Sequence, residues 1–232
     1  TSIAECERDQ AKTWEINVTR TIELIKQLSS RNTHVIYLSS NVVFSGQKAH
    51  VSTHEEQNPN CNYGQQKHAV ESFLSDFDGR TTTLRLSKVV GPSFPLLEQW
   101  VTRLKNAEPV KAYNDMVLSP VSLNSVVSAC AKLATQKPRG IFHLSGAQDI
   151  SYGDLARFLA NELKVSLDLI QTSHAHKSNQ VIFSKPAHTT LDTASALKQL
   201  GFEPEKSKNA WNIFKTLTLS LLHPFQKFKN MN

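Results

Sequence analysis

The sequence predicts an α/β fold, a doubly wound parallel sheet covered by helices on both faces, and three observations carry that prediction. Helical and strand patterns alternate along the 232 residues. The strand runs are short and apolar, as in strands buried on both faces. The helical stretches between them are long enough to cross over a sheet and return the chain parallel.

In order, Trp14, Val18, Ile22, Ile25 and Leu28 recur three or four apart between Asp9 and Leu28, which marks one buried face of a helix. His34 to Ser39 (HVIYLS) is a β-branched and aromatic run that suits a strand. A second helix begins near Asn62, is closed by Asp78-Gly79, and leads into a strand from Thr81 to Val90 (TTTLRLSKVV). Helices near Leu96–Lys105 and Leu123–Thr135 come next, then a strand at Gly140–Leu144 and a helix over Tyr152–Leu163. No internal repeat interrupts the pattern.

Composition narrows the function classes. The 26 basic residues outnumber the 20 acidic ones but are scattered, with Lys206, Lys208, Lys215, Lys227 and Lys229 the only loose concentration, so no nucleic-acid partner is expected. No apolar run of about 18 residues occurs, so no transmembrane helix is expected. Ile213 to Phe225 is the most apolar stretch near an end and carries few cations, which favours packing on the body over a membrane surface. Three cysteines, Cys6, Cys61 and Cys130, form no CxxC pair and suit a reducing cytoplasm. His174 and His176 form an HxH without an evident third ligand, so no metal is expected. Glu55-Glu56 reads as a solvated loop, and Cys61 as a passive surface thiol.

In a doubly wound sheet, ligands sit beyond the carboxyl ends of strands, which directs attention to the loops leaving HVIYLS and TTTLRL. Ser39, Ser40 and Asn41 close the first run, and Tyr63 and Lys67 stand further on, one helical turn apart on a shared face. An ammonium within about 5 Å of a phenol favours the phenolate and eases proton transfer. A serine hydroxyl at the strand end can orient a substrate carbonyl. No side chain supplies hydride, so this trio makes chemical sense only beside a nicotinamide dinucleotide.

The stretches LSSNVVFSG, EEQNPNCNYGQQK and LRLSKVVG resemble the extended short-chain dehydrogenase/reductases, most closely the dTDP-4-dehydrorhamnose reductase group. Asn114-Asp115 with Ser119-Pro120, then GIFHLSG, SYGDLARFLANEL and KPAHTTLDTASALKQLGFEP, are similar to that group's substrate-lobe pattern. The resemblance implies a Rossmann-like sheet. Residues 1–110 would be the remainder of a dinucleotide-binding domain, and residues 111–232 a smaller C-terminal substrate-binding lobe interleaved with the last elements of the main domain.

It further implies NAD(P)H-dependent reduction of a 4-keto nucleotide sugar. Tyr63, Lys67 and Ser40 would be catalytic, Tyr63, Lys67 and Leu38 would meet the NADP or NAD cofactor, and Ser40, Asn41, Lys88 and Asp115 would meet the substrate. Asn41 stands where the family usually has aspartate, and Lys88 where rhamnose-forming members tend to carry tryptophan, so the identity of the sugar stays open.

The family opens with a strand, a glycine-rich phosphate loop and a helix, whereas no GxxGxxG is found among the eight glycines here. The expectation is a sheet incomplete at its N-terminal side, with an exposed edge that a homodimer or another partner covers. Two rival readings use the same residues. One is a sugar epimerase or dehydratase, although Ser40-Asn41-Val42 lacks the acid/base pair a dehydratase needs. The other is a non-catalytic regulatory scaffold, as in the related regulatory subunit of methionine adenosyltransferase.

Overall fold

The computed structural model describes residues 1–175, 185–202 and 207–222. The chain opens with α1 (Ile3–Arg8), whose Ser2 and Glu5 form a capping box, and α2 (Gln10–Trp14), capped by the Asp9 carboxylate. A π-helical segment (Glu15–Thr19) joins α2 to α3 (Arg20–Ser30). The extra residue in that segment rotates everything before it relative to α3. Val18 and Ile25 are buried as the periodicity predicts, but Thr13 takes the inward position and Trp14 is 44% exposed.

The main sheet is built next. β1 (Val35–Ser40) leads through α4 (Asn62–Asp76) to β2 (Thr81–Leu86), and the two strands pair in parallel, Val35 with Thr81 through Ser40 with Leu86. The run predicted as one strand to Val90 breaks at Ser87. Its last part is a separate strand, β3 (Lys88–Val90). After α5 (Pro95–Lys105) come β4 (Val110–Tyr113), β5 (Val117–Leu118), β6 (Pro120–Ser122) and α6 (Leu123–Gln136), and then β7 (Gly140–Leu144) returns to pair with β2. Sheet order is therefore β1-β2-β7, all parallel. β3 turns away to pair with β6.

The remaining described elements are β8 (Ile150–Ser151), α7 (Tyr152–Leu163), β9 (Ile170–Ser173), α8 (Ala194–Leu200) and α9 (Ser207–Leu222). Short strands such as β5, β8 and β9 carry too few residues for a periodic signal in the sequence.

Helices cover the sheet on both faces, as expected of a Rossmann-like fold. On one, Tyr37 packs with Val18, Ile25, Val70 and Leu74 of the π segment, α3 and α4. On the other, Leu84, Leu86, Phe142 and Leu144 pack with Val126, Leu133 and Leu200 of α6 and α8. A separate core joins α5, β4, α7 and α9 around Leu97, Trp100, Val110, Leu155, Leu159 and Phe214. Trp211, Ile213, Leu217 and Leu221 pack on it, so the apolar C-terminal stretch lies against the body as far as Leu222, and residues 223–225 lie outside the described residues. Among the described residues no helix is long and apolar enough to cross a membrane. His176 and the lysines at 206, 227 and 229 also lie outside them.

Candidate active site

The carboxyl end of β1 and the first turn of α4 are held together by a glycine contact. A Cβ on Gly64 would stand 2.3 Å from the Val42 carbonyl oxygen and 2.9 Å from Pro59 Cβ. Only glycine lets α4 approach this closely to the 3₁₀ turn Asn41–Val43 that comes after Ser40. The approach sets Tyr63, one residue before Gly64, beside the strand end that carries Ser40. In that turn the Ser40 hydroxyl accepts the Val42 N–H at 3.4 Å and donates to Asn41 Oδ1 at 3.4 Å, both long contacts that a better partner can displace.

Lys67 is anchored deeper. Its ammonium donates to the Leu38 carbonyl at 2.9 Å and lies 4.7 Å from the Tyr37 ring centroid and 5.6 Å from that of Tyr63. An ammonium has three donors, so two remain for a ligand. Burial pushes its pKa below the ordinary lysine value, while the Glu71 carboxylate, one helical turn further along, opposes that shift, as does Cys6. Leu38 itself is 43% exposed.

The sequence predicts that Lys67 lowers the phenol of Tyr63, and here the structure differs. Burial raises the Tyr63 pKa, and the thiols of Cys6 and Cys61 add in the same direction. The lysine donates to the Leu38 carbonyl with its ammonium 5.6 Å from the Tyr63 ring centroid, and the lost hydration dominates the shift. Tyr63 therefore stands as a protonated donor at neutral pH. Cys61, expected at the surface, is buried: it is the N-cap of α4, and its sulfur accepts the Gly64 N–H at 3.4 Å.

The orientation of α4 rests on residues that sequence reasoning missed. On the N-terminal side, Glu7 accepts the Asn62 N–H at 2.7 Å and also bonds the Asn62 amide. Gln66 accepts from Asn17 at 2.7 Å and from the Cys6 thiol at 3.3 Å, and donates to Thr13 at 3.0 Å. The π segment and its rotated neighbours thus supply the polar groups that grip α4.

Towards the sheet, Glu71 receives Arg85 Nε at 3.1 and 2.9 Å and Nη2 at 2.6 Å, with side-chain exposures of 2% and 1%. Gln57 adds a donor to Glu71 at 2.8 Å, and Arg85 stacks over Phe44 at 5.0 Å. His143 Nε2 lies 3.1 Å from Arg85 Nη1 and must accept, so Nδ1 carries the proton and donates to the Asp192 carbonyl at 3.0 Å. Burial pushes this imidazole down to about 3, the Arg85 charge adding to the shift. A spacing of four, Tyr63, Lys67 and Glu71 along one helix face, was the available signal for this set.

Lys88 opens β3, just beyond the end of β2, with its ammonium 5.3 Å from the Phe94 ring centroid. Asp115 follows β4. Its carboxylate accepts the Ala175 N–H at 2.7 Å and sits 3.8 Å from His174 Nδ1, so it closes the approach of 174–175 to the turn after β4. Glu55 pairs with Lys48 at 2.8 Å, and Glu56 is exposed. Buried hydroxyls of Ser39 and Ser87, at neighbouring strand ends, have no protein partner among the described residues.

The RmlD substrate binding domain family matches residues 1–217 of this chain. A dTDP-4-dehydrorhamnose reductase from Aggregatibacter actinomycetemcomitans is 22% identical over 224 residues, covering 90% of this chain and 76% of the relative. Among solved structures, a dTDP-4-dehydrorhamnose reductase from Bacillus anthracis in complex with NADP superposes with a TM-score of 0.81 at 16% identity, over 97% of this chain and 77% of that one. A dTDP-glucose 4,6-dehydratase from Streptomyces venezuelae, solved with NAD, gives 0.79 at 16% identity, over 97% and 71%. These superpositions establish the fold.

Proposed function

The chain belongs to the RmlD substrate binding domain family, and from that premise we propose that it reduces a 4-keto nucleotide sugar with NADPH or NADH. The observation that carries the reading is the docking of Gly64 on the turn after Ser40, which brings a protonated phenol and a carbonyl-anchored ammonium to one strand end. The relative's activity as a dTDP-4-dehydrorhamnose reductase supports the same chemistry.

The residues fit the nicotinamide-riboside end of the cofactor: Lys67 retains two donors for ribose hydroxyls, and Leu38 offers exposed apolar surface beside them. When bound, the reduced nicotinamide supplies hydride to the carbonyl carbon. Ser40 exchanges its long internal contacts for the substrate carbonyl oxygen and orients it. Tyr63 gives its proton to that oxygen, and the alcohol forms. The phenolate left behind is stabilised by Lys67, whose positive charge then has a partner within the same pocket. Asn41, adjoining Ser40, and Lys88 complete the substrate contacts. Asp115, one of whose oxygens accepts the Ala175 N–H, keeps acceptor positions for the substrate in the same reading.

In this reading residues 1–110 carry the catalytic part and 111–232 most of the substrate lobe. The three free thiols suit a reducing cytoplasm. Among the described residues β1 pairs only with β2.

The test is NADPH oxidation with a dTDP-4-keto-6-deoxy sugar. Tyr63→Phe keeps the ring but removes the proton donor and should lower kcat by about 10²-fold or more. A fully active Phe variant would refute the mechanism. A protein that binds neither cofactor nor nucleotide sugar would move the assignment to a non-catalytic member of the family.

A further inference from the structure

Resting on the reductase reading, we infer that Tyr37 is a positioning residue for Lys67, its ring face holding the ammonium where the cofactor ribose and the phenolate of Tyr63 need it. Lys67 Nζ lies over the Tyr37 ring, 4.7 Å from its centroid, while it donates to the Leu38 carbonyl at 2.9 Å. That distance is well inside the range of a cation–π attraction. Consecutive residues of β1 thus hold one charge, Tyr37 by its π face and Leu38 by its main chain. The Tyr63 ring, from the first turn of α4, is the more distant of the two rings at 5.6 Å.

Packing fixes the ring. Tyr37 is buried among Val18, Ile25, Val70 and Leu74 of the π segment, α3 and α4. Val70 stands one helical turn after Lys67, so the helix that carries the lysine also holds the ring it rests on. A lysine stem is flexible, and one hydrogen bond to a carbonyl leaves its ammonium free to swing about that contact. An immobile ring face restricts the swing. Burial has also stripped water from this ammonium, and a desolvated cation gains more from a ring than a solvated one.

A ring does here what a carboxylate would do less well. Glu71, one turn further along α4, is engaged by Arg85 and Gln57. Among the described residues the Lys67 ammonium has one carbonyl and two ring faces as partners. A carboxylate in contact would neutralise it, whereas a π face attracts it without net charge, so the full positive charge remains for the phenolate that Tyr63 becomes. Tyr37 itself stays a neutral phenol, because burial pushes its pKa up and Glu71 and Tyr63 add to the shift. Its hydroxyl is buried without a hydrogen-bond partner among the described residues, so the ring and not the hydroxyl engages Lys67.

Three variants of the full protein separate this role from packing. Tyr37→Phe keeps the ring, Tyr37→Leu removes it, and Val70→Ala loosens the same cluster while leaving the ring in place. Fluorescence titration with NADPH should show binding weaker by about fivefold or more in Tyr37→Leu, and close to wild type in the other two. Side-chain NMR, with the Lys67 signal assigned by its loss in Lys67→Met, reads the placement without cofactor or turnover. The Lys67 ε-methylene protons should resonate upfield of those of solvated lysines through the ring current, keep that shift in Tyr37→Phe and lose most of it in Tyr37→Leu. Equal NADPH affinity in Tyr37→Leu and wild type, or equal losses in Tyr37→Leu and Val70→Ala, overturns the inference and leaves the reductase reading standing. So does a wild-type Lys67 signal at the solvated position, which decides the matter even where Tyr37→Leu does not fold. A wild-type protein that shows the upfield signal but binds no NADPH loses the reductase reading, and the positioning role with it.

Discussion

Arg85→Met should be among the most damaging single substitutions, because Arg85 and Glu71 are buried at 1% and 2% side-chain exposure and neither charge can reach water once its partner is lost. The variant deletes three contacts to Glu71 between 2.6 and 3.1 Å, and the bond to His143 at 3.1 Å. Among the described residues Gln57 would be the hydrogen-bond partner left on the carboxylate. Breaking a buried pair from one side costs about 3–5 kcal/mol. For a chain of this size each kcal/mol moves the melting temperature by about 2–4 °C, so a fall of roughly 6–20 °C is expected. Thermal unfolding followed by circular dichroism measures it. Arg85→Met/Glu71→Leu removes both charges and should regain most of the loss, since apolar replacement of a whole buried pair is close to neutral. A single variant melting within about 2 °C of wild type, or two losses that simply add, would refute the view that these charges depend on each other.

Two further predictions concern the same framework. His143 has an ordinary value of 6.5 and is pushed down to about 3 by burial, with Arg85 adding. A folded value below the unfolded one means the stabilisation is complete above pH 6.5 and is lost as pH falls towards about 3, at up to about 1.4 kcal/mol per pH unit. Urea midpoints between pH 7 and pH 4.5 should fall more steeply for wild type than for His143→Gln, and equal slopes would exclude this histidine as the cause. Gly64→Ala places a methyl 2.3 Å from the Val42 oxygen, should cost about 1–3 kcal/mol of stability, and should lower kcat beyond what the lost folded fraction explains. A fully active alanine variant would show that this approach does not position Tyr63.

Much of the architecture was legible because its determinants are local. β1, α4, α5, α6, β7 and α7 carry their own periodicity, caps and breakers, and their predicted bounds lie within two residues of those observed. The strand continued to Val90 in the sequence because an unbroken β-branched run does not reveal a change of partner at Ser87. Trp14 was misplaced because a π segment, which no composition marks, shifts the helix phase. Asp115 drew attention by family likeness, and only the fold reveals that one of its oxygens accepts the Ala175 N–H.

The sequence by itself determined the α/β alternation and the spacing of Ser40, Tyr63 and Lys67, since a strand end and one helix face are written in neighbouring residues. Tertiary structure alone decided the upward shift of the Tyr63 phenol, the anchoring of Lys67 to Leu38, the burial of Cys61 and the Glu71–Arg85–His143 set. Each of these depends on which distant groups approach and how much water they exclude. Arg85 and His143 are 58 residues apart in the chain, and no local pattern encodes a contact of that range or the dielectric around it.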